Sequence, residues 1–143
     1  MGEYHHSLDD KNRLIIPSKF REQLGESFIV TRGIEKCLFV YAKSDWDKIV
    51  EKLQSIPFTK KDARNFMRFF LSGATDIEFD KQGRITVSNP LALYANMKKE
   101  CVIIGVGERL EIWAKEEWEN FFDNSKDNMT EIAENLFDES VVI

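Results

Sequence analysis

The sequence predicts an α+β fold in which one β-rich unit occurs twice in tandem. The segment DDKNR at residues 9–13 returns as DKQGR at 80–84, an offset of 71 residues. A second block, LFVYAKSDW at 38–46, matches LEIWAKEEW at 110–118 at an offset of 72. Two separated matches at nearly constant spacing indicate a duplicated structural unit, and such repeats decide the fold.

Composition places the chain among ordinary globular proteins. It has 143 residues, of which 43% are apolar and 31% charged. Each half of about 70 residues would be marginal alone, so we expect the halves to pack together or oligomerise. The sequence has no run of about 18 apolar residues that could span a membrane. Residues 1–6 (MGEYHH) lack the apolar core of a signal peptide, so we expect a cytoplasmic protein.

The net charge of −5 is unevenly distributed. Residues 1–109 contain 18 Lys and Arg against 15 Asp and Glu, a balance of +3. Residues 110–143 contain two Lys and ten Asp and Glu, a balance of −8. The acidic surplus is therefore a C-terminal feature, and the rest of the chain can present a local basic face.

The elements of the first copy follow from hydrophobic patterns and breakers. Residues 2–8 predict a strand that enters a polar turn, and Pro17 ends the short strand that follows the turn. Ser18 and Ser44 are predicted N-caps of two helices. The remaining predicted elements of this copy are strands at 13–16, 28–30 and 38–41 and helices at 18–24 and 45–55.

The segment from Thr59 to Leu71 predicts a linking helix that opens with a capping-box-like TKKD. Its aromatic residues make it apolar on more than one side, and its Lys and Arg residues form a basic face. Two interpretations are open, a core helix that bridges the halves or a helix–helix contact between subunits.

The second copy predicts the same order of elements. Its strands lie at 75–80, 84–87, 101–106 and 109–113, and its helices at 89–95 and 115–122. The acidic stretch 128–137 has apolar residues at helical spacing, which predicts a helix docked on the body or on a neighbour.

The repeated turn admits a structural and a functional interpretation. An Asp and an Arg four residues apart can form an ion pair that shapes the turn, although an exposed pair contributes only about 0–1 kcal/mol. The alternative is nucleic-acid binding, because Arg and Lys bind phosphates and guanine, and Asn and Gln can read adenine. Asp9 and Asp80 would then orient the arginines. The candidate DNA-binding residues are Lys11, Asn12, Arg13, Lys19, Arg21, Lys81, Gln82 and Arg84.

The two halves differ in charge after the turn. Lys19 and Arg21 follow the first turn, whereas Pro90 and Ala92 occupy the matching positions of the second copy. We therefore expect the first half to attract the DNA backbone more strongly.

The sequence predicts no catalytic residue, metal site, cofactor or small-molecule substrate. It contains no Gly-rich phosphate loop and no GxSxG motif. His5 and His6 are adjacent in a predicted strand and would point to opposite faces. Cys37 and Cys101 lie in apolar strand-like runs, which indicates buried thiols.

Several strings resemble the MraZ family of transcriptional regulators with tandem SpoVT/AbrB-like domains. They are LDDKNRLIIPSKFR at 8–21, TKKDAR at 59–64, FMRFFLSGA at 66–74 and DKQGR at 80–84. The resemblance implies swapped-hairpin (looped-hinge) units that form a β-barrel-like core with peripheral helices. It also assigns the turn arginines of the family to Arg13 and Arg84. Asn12 replaces the usual turn glycine, and Asn tolerates the left-handed conformation that such a turn requires.

The resemblance further implies a division of the chain and a function. The expected parts are a first repeat at 1–58, a linking helix at 59–72, a second repeat at 73–124 and an acidic segment at 125–143. The implied function is a nucleoid-associated DNA-binding regulator of its own division and cell-wall operon. It would bind short direct repeats of double-stranded DNA as a ring of identical subunits. The competing hypothesis is an oligomeric adaptor whose basic turns bind an acidic protein.

Overall fold

The fold is α+β, and the computed structural model describes residues 1–137. The first half contains β1 (Gly2–Ser7), β2 (Arg13–Ile15), α1 (Ser18–Leu24), β3 (Ser27–Arg32), β4 (Leu38–Ala42) and α2 (Lys43–Gln54). Helix α3 (Lys61–Ser72) follows. The second half contains β5 (Thr75–Glu78), β6 (Arg84–Thr86), α4 (Asn89–Tyr94), β7 (Glu100–Val106), β8 (Arg109–Ala114) and α5 (Lys115–Ser125). A 3₁₀ turn (Lys126–Asn128) leads to α6 (Met129–Leu136).

The two halves share their strands. One antiparallel sheet has the strand order β1-β7-β8-β4-β3-β5, and a second, two-stranded ribbon pairs β2 with β6. The first strand of each half therefore pairs with the third strand of the other half, β1 with β7 and β5 with β3. The order is the same from either edge when the halves are exchanged, so the duplication in sequence is an approximate two-fold relation in the fold.

The four central strands of the large sheet, β7, β8, β4 and β3, bury residues on both of their faces. In β4, Leu38 and Val40 point into one apolar core, while Phe39 and Tyr41 point into the other. The first core lies under the β2–β6 ribbon and helices α1 and α4. The second core lies under helices α2, α3 and α5. This arrangement explains why the strands read as continuous apolar runs rather than as strict alternation.

Helix α3 is part of the second core. Phe70 is buried there, and its ring stacks on Trp46 at 5.3 Å and on Phe66 at 5.3 Å between centroids. Arg68 of the basic face is exposed. The apolar side of this helix therefore packs into the core, as the bridging interpretation expects. The two cysteines are buried, as predicted, and they lie in different cores, Cys37 in the second and Cys101 in the first.

Some sequence expectations need correction. The β-barrel-like core is not a closed barrel among the described residues, because the large sheet begins at β1 and ends at β5 without pairing between them. The three predicted caps at Ser18, Ser44 and Thr59 are also wrong. Helix α2 starts directly after β4, with Ala42 at the N-cap, and α1 and α3 likewise have no side-chain cap bond. These helices are held by packing instead of by capping.

Helix α6 lies on the surface and has no buried residue. Its apolar side chains are largely exposed, with Leu136 at 71% and Ile132 at 40%. The predicted acidic segment continues to residue 143, and its part beyond residue 137 lies outside the described residues. No helix within residues 1–137 is long and apolar enough to cross a membrane.

Candidate nucleic-acid interface

The first repeated turn, tip 1 (residues 9–13), is folded around one carboxylate. Asp9 Oδ1 accepts hydrogen bonds from the backbone N–H of Lys11 at 2.9 Å and of Arg13 at 2.8 Å. Its Oδ2 accepts a bond from Arg13 Nε. Two backbone bonds close the turn, Asp9 N to Arg13 O and Asn12 N to Asp9 O, both at 3.0 Å. The Asp therefore fixes both the loop and the direction of the arginine.

The second turn, tip 2 (residues 80–84), repeats this geometry. Asp80 Oδ1 accepts from the N–H of Gln82 at 2.9 Å and of Arg84 at 2.8 Å, and Oδ2 accepts from Arg84 Nε at 2.7 Å. Gln82 adds a bond absent from tip 1, since its Oε1 accepts from Arg84 Nη2 at 2.9 Å. The duplicated sequence thus encodes two arginine-holding turns, in each of which an Asp fixes the orientation of an Arg.

Each tip contains one residue in the left-handed region. Asn12 has φ 58° and Gly83 has φ 75°. Asn is among the few residues that adopt this conformation readily. The expectation that Asn12 preserves the loop shape is therefore confirmed. Its side chain also donates a hydrogen bond to Asn89 Oδ1 at 2.8 Å, across to the second half.

The β2–β6 ribbon places the two tips side by side. Leu14 pairs with Ile85 at its centre, and each is at most 1% exposed. Reciprocal backbone bonds extend the pairing, with Ile16 N donating to Gly83 O at 3.2 Å and Val87 N donating to Asn12 O at 2.9 Å. The tips are therefore fixed relative to each other by the same ribbon that covers the first core.

One ion pair crosses between the tips. Arg84 Nη1 lies 3.7 Å from Asp9 Oδ2, in addition to its bonds with Asp80. The side chains of Arg13 and Arg84 are 31% and 22% exposed, so both remain accessible. Both side chains therefore lie at the surface and are not sealed inside the chain.

The other candidate residues divide into two groups. Lys11, Lys81 and Gln82 are exposed on the tips, as predicted. Lys19 contacts the N-terminal strand instead, where Nζ donates to Met1 O at 2.7 Å and lies 5.0 Å from the Tyr4 ring centroid. Arg21 lies against tip 2 rather than tip 1. Arg21 of the first half thus adds its charge beside tip 2, because the β2–β6 ribbon brings the start of α1 to the second turn.

The tip carboxyl groups have altered pKa values. Partial burial raises the pKa of Asp9, but the bonds from Arg13 and Lys11 outweigh it and the net shift is downward. For Asp80, the backbone bond from Arg84 is the largest cause, and its pKa is also lowered. These shifts agree with carboxylates that are held as anions beside arginine.

We predict that both carboxyl groups titrate below the ordinary Asp value of about 3.9. A lowered folded-state pKa stabilises the folded tip at pH values above the unfolded pKa, and this contribution is lost as the pH falls through the folded value. Carbon-detected NMR titration of the side-chain carboxyl resonances measures this directly. Midpoints for Asp9 and Asp80 at or above that of a free aspartate would contradict the arginine-holding geometry.

The described residues contain no group of three or more His, Cys, Asp or Glu side chains able to hold a metal ion. His5 is exposed and bonded to Glu3 at 2.7 Å. The paired tips are a polar surface in which each arginine is balanced by an aspartate.

Comparison with protein families agrees with this architecture. A family model described as "MraZ protein, putative antitoxin-like" matches residues 1–69 and again residues 70–140. The two matches cover nearly the whole chain and divide it at the end of α3. The chain belongs to the MraZ family. The predicted family is therefore confirmed, and each MraZ unit contributes one tip to the paired surface.

Sequence reasoning missed the contacts that join the two MraZ units at the tips. The ion pair between Arg84 and Asp9 and the bond between Asn12 and Asn89 both link residues more than 70 positions apart. The offset of the repeat aligns equivalent residues, but it gives no sign of which non-equivalent residues meet. No local signal could have identified these pairs.

Proposed function

We propose that this MraZ protein is a sequence-specific DNA-binding regulator that acts on the promoter of its own division and cell-wall operon. The observation that carries the proposal is the pair of tips, each with an arginine held by an Asp and left partly exposed. Arginine presented in a fixed orientation can bond guanine with two donors or bind phosphate. Exposed Lys11, Lys81 and Gln82 supply further donors on the same surface.

The exchange of first strands between the two units supports the swapped-hairpin description implied by the family. The repeats proposed at 1–58 and 73–124 are separate in sequence. In the fold they are not separate, because each unit supplies a strand that completes the sheet of the other. One chain therefore supplies two joined tips, and this joint platform is the proposed DNA-binding unit.

An electrophoretic mobility shift series tests this function. The probe is the DNA upstream of the gene for this chain, and the control is a scrambled duplex of the same composition. We expect tighter binding to the native sequence and a linear loss of log affinity with log salt, with a slope of about −0.9 for each phosphate contacted. Equal binding to both duplexes, or none, would instead favour the adaptor that binds an acidic protein.

We further propose that the protein acts as a ring of identical subunits on DNA that contains direct repeats. A single pair of tips makes few contacts, and multiple linked pairs gain affinity through effective concentration. Helix α6 supplies a surface suited to assembly, since its apolar side chains are exposed while Glu131 and Glu134 make it acidic. The exposed basic side chains of α3, which include Lys61 and Arg68, provide a complementary charge on a neighbouring copy.

Leu136→Glu is predicted to shift the protein toward smaller species. Leu136 is 71% exposed in the monomer, so the substitution spares the fold and affects a contact between copies. Sedimentation velocity at several concentrations measures the assembly. Thr130→Glu adds the same charge to the same helix away from its apolar edge, and we expect it to leave the distribution unchanged. An unaltered distribution for Leu136→Glu would exclude α6 from the interface.

A further inference from the structure

Arg21 is shared between the two halves in a way that the sequence repeat does not suggest. It lies on α1 of the first unit, but its Nη1 donates to Ile16 O at 2.9 Å and its guanidinium covers Gly83 of tip 2. A Cβ atom added to Gly83 would lie only 2.7 Å from Arg21 Cζ. Glycine therefore lets the guanidinium lie against the turn, whereas a larger residue would displace this end of the Arg21 side chain.

At the equivalent site beside tip 1, the large and the small residue are exchanged between the helix and the turn. At an offset of 71, Arg21 corresponds to Ala92 and Gly83 corresponds to Asn12. There the larger residue is on the tip, and Asn12 bonds to Asn89 instead of receiving an arginine. The two tips thus have the same hydrogen-bonded turn but different contacts with the neighbouring helix. Tip 2 combines glycine on the turn with a large helix residue, and tip 1 combines asparagine on the turn with a small helix residue.

The two tips also differ in charge. Tip 1 contains Asp10 and Lys11 where tip 2 contains Lys81 and Gln82, so the formal charge of residues 9–13 is zero and that of residues 80–84 is +1. Arg21 adds another positive charge beside tip 2. Glu22, Glu26 and Glu78 line the same cleft as Arg21, so the two tips share a backbone shape but differ in the charged side chains around them.

We propose that Arg21 is a positioning residue that gives the paired tips a direction on DNA. This inference rests on the proposed DNA-binding function. A platform with two equivalent tips would bind a non-palindromic site equally well in either orientation, whereas specificity for one orientation requires a difference in binding free energy between the two. The Arg21–Gly83 support is the difference between the tips that brings a charged side chain of one unit against the turn of the other.

The packing is tested first without DNA. Gly83→Asn places a side chain where Arg21 lies, although Asn itself tolerates the left-handed backbone. We expect the melting temperature to fall by about 1–3 °C in the wild-type background and by clearly less when Arg21 is already Ala. Additive effects of the two substitutions would overturn the proposed contact.

The orientation of the protein on DNA is measured by cleavage of the DNA from an iron–EDTA reagent attached at position 7 of a Ser7→Cys variant. Ser7 is exposed, uncharged and two residues before tip 1, and the native Cys37 and Cys101 are buried and compete little for the reagent. With Arg21 present, we expect cleavage on one flank of a single repeat embedded in the upstream DNA. With Arg21→Ala, we expect cleavage on both flanks, and any remaining bias then reflects the other side-chain differences between the tips. Arg21→Lys should behave like Ala, because an ammonium group cannot replace the planar guanidinium over Gly83.

The outcomes separate this inference from the proposed function. If native protein fails to bind the upstream DNA, the function itself is wrong. If it binds and cleavage stays one-sided in Arg21→Ala, or is already two-sided with Arg21 present, the inference alone is wrong. If Arg21→Ala still cleaves one flank and its slope of log affinity against log salt is reduced by about 1, Arg21 is an ordinary phosphate contact. Loss of direction with an unchanged salt slope supports the positioning role.

Discussion

Arg13→Ala and Arg84→Ala are each expected to weaken binding to the upstream DNA by about 10- to 100-fold. A well-placed arginine contact to a base contributes about 1–3 kcal/mol, and 1.4 kcal/mol corresponds to tenfold in affinity. The stability cost should be small, because exposed ion pairs contribute about 0–1 kcal/mol. Fluorescence anisotropy with native and scrambled duplexes measures the loss of both affinity and preference.

Lys52→Ala is the matched control for these variants. Lys52 is exposed on α2, which packs on the opposite face of the large sheet from the tips. Removing one positive charge there should leave DNA binding within about twofold of the native value, since additivity holds for distant sites. Normal affinity in both tip variants, measured on protein of native mass in solution, would remove the arginines from the interface.

Leu14→Ala is expected to lower the free energy of unfolding by about 2–5 kcal/mol. Leu14 is 0% exposed at the centre of the β2–β6 ribbon, opposite Ile85, so truncation leaves a cavity in the first core. This ribbon also carries both tips, and its loss of packing reaches the proposed interface. Urea denaturation at fixed protein concentration measures the change, because assembly makes apparent stability depend on concentration.

Ile15→Ala provides the comparison on the same strand. Ile15 is 44% exposed and faces away from the core. We expect a change below about 1 kcal/mol, which reflects strand preference rather than a cavity. Equal destabilisation by the two substitutions would show that the ribbon is not anchored through its inward face.

The geometry of each tip follows from local sequence. The bonds from Asp9 to Lys11 and Arg13 join residues two to four positions apart, and Asp80 repeats them with Gln82 and Arg84. Such short-range bonds form wherever the residues recur, so two similar segments predict two similar turns. The left-handed Asn12 follows for the same reason, because its conformation is a property of the residue and the turn.

The choice of strand partners is different, because it depends on residues distant in sequence. β3 and β7 carry similar apolar runs, FIV at 28–30 and VII at 102–104, so either could accept β1 by hydrophobic pattern alone. The fold selects β7 for β1 and β3 for β5. The helix caps expected from sequence failed on similar grounds, since tertiary packing outweighs a weak local preference.

The sequence by itself determined the duplication, the family and the two arginine-holding turns, because these depend on residue type at short fixed spacing. Only the tertiary structure decided that the two turns lie side by side and that Arg21 of the first unit supports the turn of the second. The physical reason is that the β2–β6 ribbon joins segments 71 residues apart, as in the pair Leu14 and Ile85, through backbone pairing. Backbone hydrogen bonds are the same for nearly every residue type and leave no mark in the sequence.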